Sequence, residues 1–272
     1  IVISFVNQKG GVGKTTSVIN TAAALAKSDP IQTQNKRILV IDMDPQGNSS
    51  QLFTNITDDE PSIYDLLMCH SENLKSSEYE SNIQKVIYPT YLNNLDIIPA
   101  NVLLSSAELD LVNAHGRESI LKRLLRANKA LLKDYAYIII DCQPSLGLLT
   151  INSIIASDYI TVPLKADVFS LKGLELLNET VSKLQKVFEI DSTILGLFFT
   201  QVSPSEDMFK ESFSLCKENY GELVFESFIR TNIHIDQANA MDQSIIDFKS
   251  DSSSATDYIN LAKEILVRTE KQ

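Results

Sequence analysis

The chain has 272 residues, 44% of them apolar and 22% charged, with a formal net charge of −11. That balance excludes a disordered or collagen-like chain, and the negative far field excludes indiscriminate attraction to nucleic acid, because it repels phosphate. No run approaches the roughly 18 apolar residues of a membrane span, and the three dispersed cysteines, Cys69, Cys142 and Cys216, form neither a disulfide framework nor a metal-binding pattern. The expectation is one soluble cytoplasmic domain over residues 1–272.

Residues 1–7 (IVISFVN) form an apolar, β-branched run too short for a helix, so they read as a buried strand. A glycine loop follows, and residues 15–27 are alanine-rich and helical. RILVID at 37–42 and AYIIID at 136–141 read as buried strands that end in carboxylates. Between them, residues 57–94 are polar enough to predict a surface excursion, with one helical turn or two at 62–68. Residues 116–133 carry six basic side chains against one acidic and predict a basic helix, with Lys122, Arg126, Lys129 and Lys133 on one face opposite Leu121, Leu124 and Leu132. Strands at 159–163 and 194–200 alternate with helices at 146–156 and 171–188, and an amphipathic helix at 255–269 ends the chain. Strand and helix in alternation predict an α/β fold, P-loop NTPase-like, with a mostly parallel twisted sheet covered by helices on both faces.

The strongest chemical signal is Lys9-Gly10-Gly11-Val12-Gly13-Lys14-Thr15-Thr16, placed after a strand and opening a helix. Glycines let successive backbone N–H groups face one anion, and the helix N-terminus adds partial positive charge. Lys14 can reach the β and γ phosphates, and the Thr15 hydroxyl can ligate Mg²⁺. A dinucleotide fingerprint needs glycine where Thr16 stands, so hydride-transfer chemistry is excluded at its own motif. In an open parallel sheet the strand ends at Asp42, Asp44 and Asp141 share the loop's edge, so one cleft collects them with Lys14 and Thr15 around a magnesium-bound triphosphate. The alternative reading of Asp42 and Asp44 is a helix cap or turn. No guanine-reading N-K-x-D stretch is present, which favours ATP over GTP.

KGGVGKTT, with Lys9 five residues before Lys14, resembles the deviant Walker A motif of the ParA/MinD ATPase superfamily. DMDPQGNSS at 42–50, LDIIPANVLLSSAELDL at 95–111 and YIIIDCQPSLGLLTINS at 137–153 resemble the ParA/Soj branch. The resemblance implies a weak Mg²⁺-dependent ATPase of plasmid or chromosome partition. Such a protein closes into an ATP-dependent homodimer, binds DNA non-specifically on the nucleoid, and is released when a ParB-like centromere-binding protein stimulates hydrolysis. It also implies that Lys9 reaches the partner's phosphates, that Asp44 orients the attacking water, and that Asp42 and Asp141 support the metal with Thr15.

At 228–238 (FIRTNIHIDQA) related proteins carry arginines for DNA, whereas this chain keeps only Arg230 and His234. From 201 onward seven basic residues face thirteen acidic ones, so Lys122, Arg126 and Lys129 stand as the other candidate DNA surface, with a plain solvated face as the bland alternative. Two other classes stay open on the same loop. A MinD-like membrane-cycling ATPase needs a basic amphipathic tail, and residues 262–272 read better as a core-packing helix, so no membrane partner is expected. An iron–sulfur carrier needs paired cysteines, and Cys142 has no cysteine near it in sequence.

Overall fold

The computed structural model describes residues 1–57, 59–69 and 83–270. Seven strands, β1 (Val2–Phe5), β2 (Arg37–Met43), β3 (Tyr88–Pro89), β4 (Leu95–Ile98), β5 (Tyr135–Cys142), β6 (Tyr159–Leu164) and β7 (Thr193–Phe199), form one sheet in the order β3-β4-β2-β5-β1-β6-β7. All pairings are parallel except β3 with β4. The central strands are buried on both faces, as their unbroken Ile, Leu and Val runs require. Apolar clusters cover each face, one around Leu39, Ile41 and Ile140, the other around Ile38, Val40 and Ile139.

The helix Lys14–Ala26 lies between the sheet and the last helix, Ser253–Glu270. Ala22, Ala23 and Ala26 let the two backbones approach closely, and Leu261, Ala262 and Ile265 of the last helix are buried against that layer. The last helix therefore packs into the core as far as Thr269, while Glu270 is exposed; residues 271–272 lie outside the described residues. Among the described residues no helix is long and apolar enough to cross a membrane.

Several elements are not announced by the sequence. β4 is only four residues long and carries Asp96, yet it pairs with β2 over Ile38 to Ile41. The helices Asp207–Tyr220 and Ile233–Ala240 have too few apolar residues to stand out. Within the polar stretch 57–94, the helix Ile63–Cys69 buries Ile63, Leu66 and Leu67, and β3 adds an edge strand. Residue 58 and residues 70–82 of that stretch lie outside the described residues.

The predicted basic helix is broken. A short 3₁₀ turn at Arg117–Ser119 leads into the α-helix Ile120–Ala127, which stops at Asn128, and a second 3₁₀ turn spans Leu132–Asp134. The Asn128 side-chain amide donates to the Leu124 carbonyl at 2.9 Å, beside the Asn128 N–H bond to the same oxygen at 3.1 Å. Asparagine competes in this way with the next helical turn. Lys122 and Arg126 stay on one helix, while Lys129 and Lys133 lie beyond its end, both exposed.

β7 meets the Leu223–Phe225 segment without room to spare. A Cβ at Gly196 would stand 2.2 Å from the Phe225 ring and 2.9 Å from the Leu223 carbonyl oxygen. Phe225 is in turn fixed edge-on against Phe198, with ring centroids 6.2 Å apart, and lies under the Arg268 guanidinium at 4.0 Å. Gly196→Ala is therefore expected to destabilise the protein by about 1–3 kcal/mol through overpacking, read as a lower urea midpoint at unchanged m-value.

Candidate functional site

The phosphate loop runs from the end of β1 into the helix Lys14–Ala26. Gly11 and Gly13 have φ of 70° and 76°, a region that L side chains avoid, so the turn needs glycine at both. Gly13 is also the N-cap and offers no side chain, and no acidic residue occupies the first helical turn. The positive end of the helix thus keeps its capacity for an external anion.

Residues from distant strands hold the loop in shape. Thr200, just past β7, donates its hydroxyl to the Val12 carbonyl at 2.8 Å, and the Gln201 amide donates to the Gly11 carbonyl at 3.2 Å. Asn7 donates to the Pro163 carbonyl at 2.7 Å and accepts from the Lys9 N–H at 2.9 Å. The two loop lysines differ. Lys14 is 6% exposed, and its ammonium donates to the Lys9 carbonyl at 3.2 Å. Burial pulls its pKa down, opposed by the negative fields of Asp141, Cys142 and Asp44. Lys9 is more accessible and is ion-paired with Asp167, in the loop after β6.

The carboxylates come together because β5 lies between β1 and β2. Phe5 pairs with Asp141, and Asp42 pairs with the same Asp141 from the other side. Asp42 and Asp141 are 0% exposed and Asp44 is 7% exposed. Burial is the first cause that raises the pKa of both Asp42 and Asp141; repulsion from a neighbouring carboxylate adds to it, while hydrogen bonds from Ser50 to Asp42 and from Ser49 to Asp141, and the proximity of the Thr15 hydroxyl to Asp141, act in the other direction.

Consecutive serines at the start of the helix Asn48–Phe53 serve these two acids. Ser49 donates to Asp141 Oδ2 at 2.7 Å; Ser50 donates to Asp42 Oδ2 through its N–H at 2.9 Å and its hydroxyl at 2.7 Å. Asp44 closes the preceding turn, accepting the Gln46 N–H on Oδ1 at 3.0 Å. The turn expected of it as an alternative and its place at the loop's edge therefore coexist. Among the described residues no donor meets hydrogen-bond geometry at Asp141 Oδ1, although the atom is buried. An acceptor in that state is a place where a cation's shell would be welcome.

A cavity of about 320 Å³ opens beside Gly13 and Thr16, lined also by Thr200, Gln201, Asn232 and Asn239. Its amides and hydroxyls offer both donors and acceptors to a heterocycle.

The residues named as DNA candidates fall at opposite edges of the sheet. Lys122 lines a groove with Ser157, Asp158 and Thr193, at the starts of β6 and β7, away from the loop. Arg126 and Lys129 are exposed. Arg230 lies on the loop side, but its guanidinium grips Asp257 through two bonds, Nε to Oδ2 at 2.9 Å and Nη2 to Oδ1 at 2.6 Å. His234 places Nδ1 2.8 Å from Gln237 Oε1 and Nε2 3.1 Å from the Lys249 ammonium. Both ring nitrogens are therefore engaged within the protein.

Sequence reasoning reached the loop and the three strand-end acids but not Asp167, Ser49, Ser50, Thr200 or Gln201. Asp167 and Thr200 each follow a strand, so the rule that found Asp141 could have found them. The serines carry no signal of their own beyond lying in the stretch 42–50.

A family model described as an AAA domain (AAA_31) matches residues 1–194. The sporulation initiation inhibitor protein Soj of Bacillus subtilis is 37% identical over 265 residues, covering 97% of each chain. The chromosome-partitioning ATPase Soj of Treponema pallidum is 37% identical, covering 97% of this chain and 96% of its own. Among solved structures, cobyrinic acid a,c-diamide synthase of Mycobacterium smegmatis with a bound ATP analogue and magnesium superposes with a TM-score of 0.76 at 29% identity, covering 100% of this chain and 96% of that one. An identity of this level along essentially the whole length, on a sheet that brings Lys9, Lys14, Asp42, Asp44 and Asp141 to one edge, places the chain in the Soj/ParA family of partition ATPases.

Proposed function

We propose that this chain is a Mg²⁺-dependent ATP hydrolase of DNA partition that dimerises on ATP, binds DNA without sequence preference in that state, and is released when a ParB-like centromere-binding protein stimulates hydrolysis. The observation that carries this reading is the convergence of an uncapped helix N-terminus, the buried Lys14 and two buried strand-end carboxylates at one edge of the sheet. The magnesium and ATP analogue held by the Mycobacterium smegmatis structure agree with it.

In this reading the backbone of Gly10, Gly11, Val12, Gly13, Lys14, Thr15 and Thr16 cradles the phosphates, and Lys14 neutralises their charge. Thr15 would hold Mg²⁺, with Asp141 and Asp42 behind it, and the orphaned Asp141 Oδ1 suits that cation. Magnesium takes few protein ligands and keeps several waters; when bound it supplies charge neutralisation on the transferred phosphoryl group. Among the described residues no cluster of three or more His, Cys, Asp or Glu is arranged to hold a metal without such help. Asp44 orients the attacking water. Lys9 leaves Asp167 for the partner's phosphates, where a second cation stabilises charge that develops in transfer.

DNA contact is assigned to Lys122, Arg126 and Lys129. Arg230 is ion-paired with Asp257 and the His234 ring is engaged by Gln237 and Lys249, so neither is free to contact phosphate. The membrane-cycling alternative has no support in the last helix, whose apolar face is buried in the core.

Three outcomes test the proposal. Sedimentation of the wild type is expected to show a dimer with ATP and a monomer with ADP; Asp44→Ala is expected to prolong the ATP dimer, and only the dimer is expected to retain random-sequence duplex DNA. A monomer under ATP would overturn the reading. Arg126→Glu with Lys129→Glu is expected to weaken that DNA binding about tenfold or more and to flatten its salt dependence, since two phosphate contacts are lost.

Asp141→Asn is expected to separate stability from function. A carboxyl whose folded pKa stands above its ordinary value stabilises the fold at acid pH and loses that contribution as pH rises through the raised value. The uncharged amide should therefore raise the melting temperature of the nucleotide-free protein at pH 8, and less so at pH 5. The same variant should lose the Mg²⁺-dependent part of stabilisation by ATP in a thermal-shift titration.

A further inference from the structure

We propose that Ser49 is a positioning residue of the magnesium site: its hydroxyl holds Asp141 Oδ2 so that Oδ1 alone is presented to the cation's shell. The inference rests on the reading that this edge of the sheet binds a magnesium nucleotide, and it assigns a role to a side chain that neither the loop nor the strand-end pattern identifies.

Geometry carries the argument. Asp141 ends β5 between two neighbours, the phosphate loop after β1 and Asp42 on β2, and it is wholly buried. Its two oxygens are not equivalent. Oδ2 accepts the Ser49 hydroxyl at 2.7 Å, whereas Oδ1 has no hydrogen-bond partner among the described residues. A carboxylate can turn about its terminal torsion with little intrinsic preference, so a single donor on one oxygen decides which oxygen faces the site.

Ser49 is itself well placed for this. It is 0% exposed and follows Gly47 and Asn48 at the start of the helix Asn48–Phe53, where Gly47 supplies the left-handed φ of 63° that turns the chain. Its neighbour Ser50 is tied twice to Asp42 and accepts the Ala100 N–H at 2.8 Å, so the backbone that carries Ser49 is anchored on both sides. The turn containing Asp44 is thereby linked to Asp141 by one hydroxyl. Groups that orient a metal's inner ligands are commonly worth about 10–100-fold in metal affinity.

The test is a titration of N-methylanthraniloyl-ADP fluorescence, first in EDTA and then with graded MgCl₂, on wild type and Ser49→Ala. The substitution only removes an oxygen from a buried position, and a melting temperature measured in EDTA reports whether the fold is kept. Ser49→Ala is expected to raise the Mg²⁺ concentration for half-maximal response about tenfold while nucleotide affinity in EDTA stays within about twofold. An unchanged Mg²⁺ midpoint or an equal loss of affinity in EDTA would each overturn the proposal. Wild type that fails to bind the probe nucleotide under any condition would overturn the underlying reading of the site, and this proposal with it.

Discussion

Two carboxylates, Asp42 and Asp141, end adjacent parallel strands in register and are completely removed from water. Such a pair is costly. Each charge loses its hydration, and each repels the other across a short gap with little dielectric to weaken it. The surrounding structure can be understood as compensation for that cost: Ser50 gives Asp42 two hydrogen bonds, the Asp44 N–H adds a third at 3.1 Å, Ser49 gives Asp141 one, and Lys14 stands close enough to feel Asp141. The compensation is incomplete at Asp141 Oδ1. In the proposed function a magnesium nucleotide would complete it, which would couple occupancy of the site to the stability of the sheet edge.

The same edge explains how a nucleotide could be sensed beyond its pocket. The loop carbonyls of Gly11 and Val12 are held by Gln201 and Thr200 after β7, and Lys9 is tied to Asp167 after β6. In the proposed function a phosphate that drew Lys9 away would release Asp167 at the entrance to the helix Val168–Phe188. On the other side, Asp42 is linked through Ser50 to the Ala100 N–H, and Gln143, past β5, donates to Glu108 at 3.3 Å. The strand ends therefore share hydrogen bonds with several surface segments, each of which has a reason to respond when charge enters the cleft.

Charge also separates the two candidate DNA surfaces. Arg230 looks like a nucleic-acid contact when only its residue type is read. In the fold it is the partner of Asp257 on the last helix and bonds the Ser253 carbonyl at 3.2 Å, so its cation is spent on holding two segments together. Arg126 and Lys129 are exposed, and Lys122, on the same helix as Arg126, lines a groove at the starts of β6 and β7, at the opposite ends of the strands from the phosphate loop.

The sequence by itself determined what depends on neighbours along the chain. Glycines at 11 and 13 specify the loop's turn, Lys14 and Thr15 follow from the same eight residues, and the β-branched runs ending at Asp42 and Asp141 specify buried strands with acids at their ends. Even the length of the last helix is legible, because its apolar period is local. What the tertiary structure alone decided is who meets whom. Nothing local says that β5 inserts between β1 and β2, yet that insertion is what sets Asp141 beside both Asp42 and the loop. Ser49 reaching Asp141 across 92 positions, Asp167 taking Lys9 across 158, and Asp257 claiming Arg230 across 27 are all consequences of packing. The basic stripe shows the converse: a periodic pattern promised one long helix, and a single asparagine amide bonding its own i−4 carbonyl ended it at Ala127. Periodicity records which face a residue prefers, whereas partners are chosen by the strand order and by buried polar groups that must each find one.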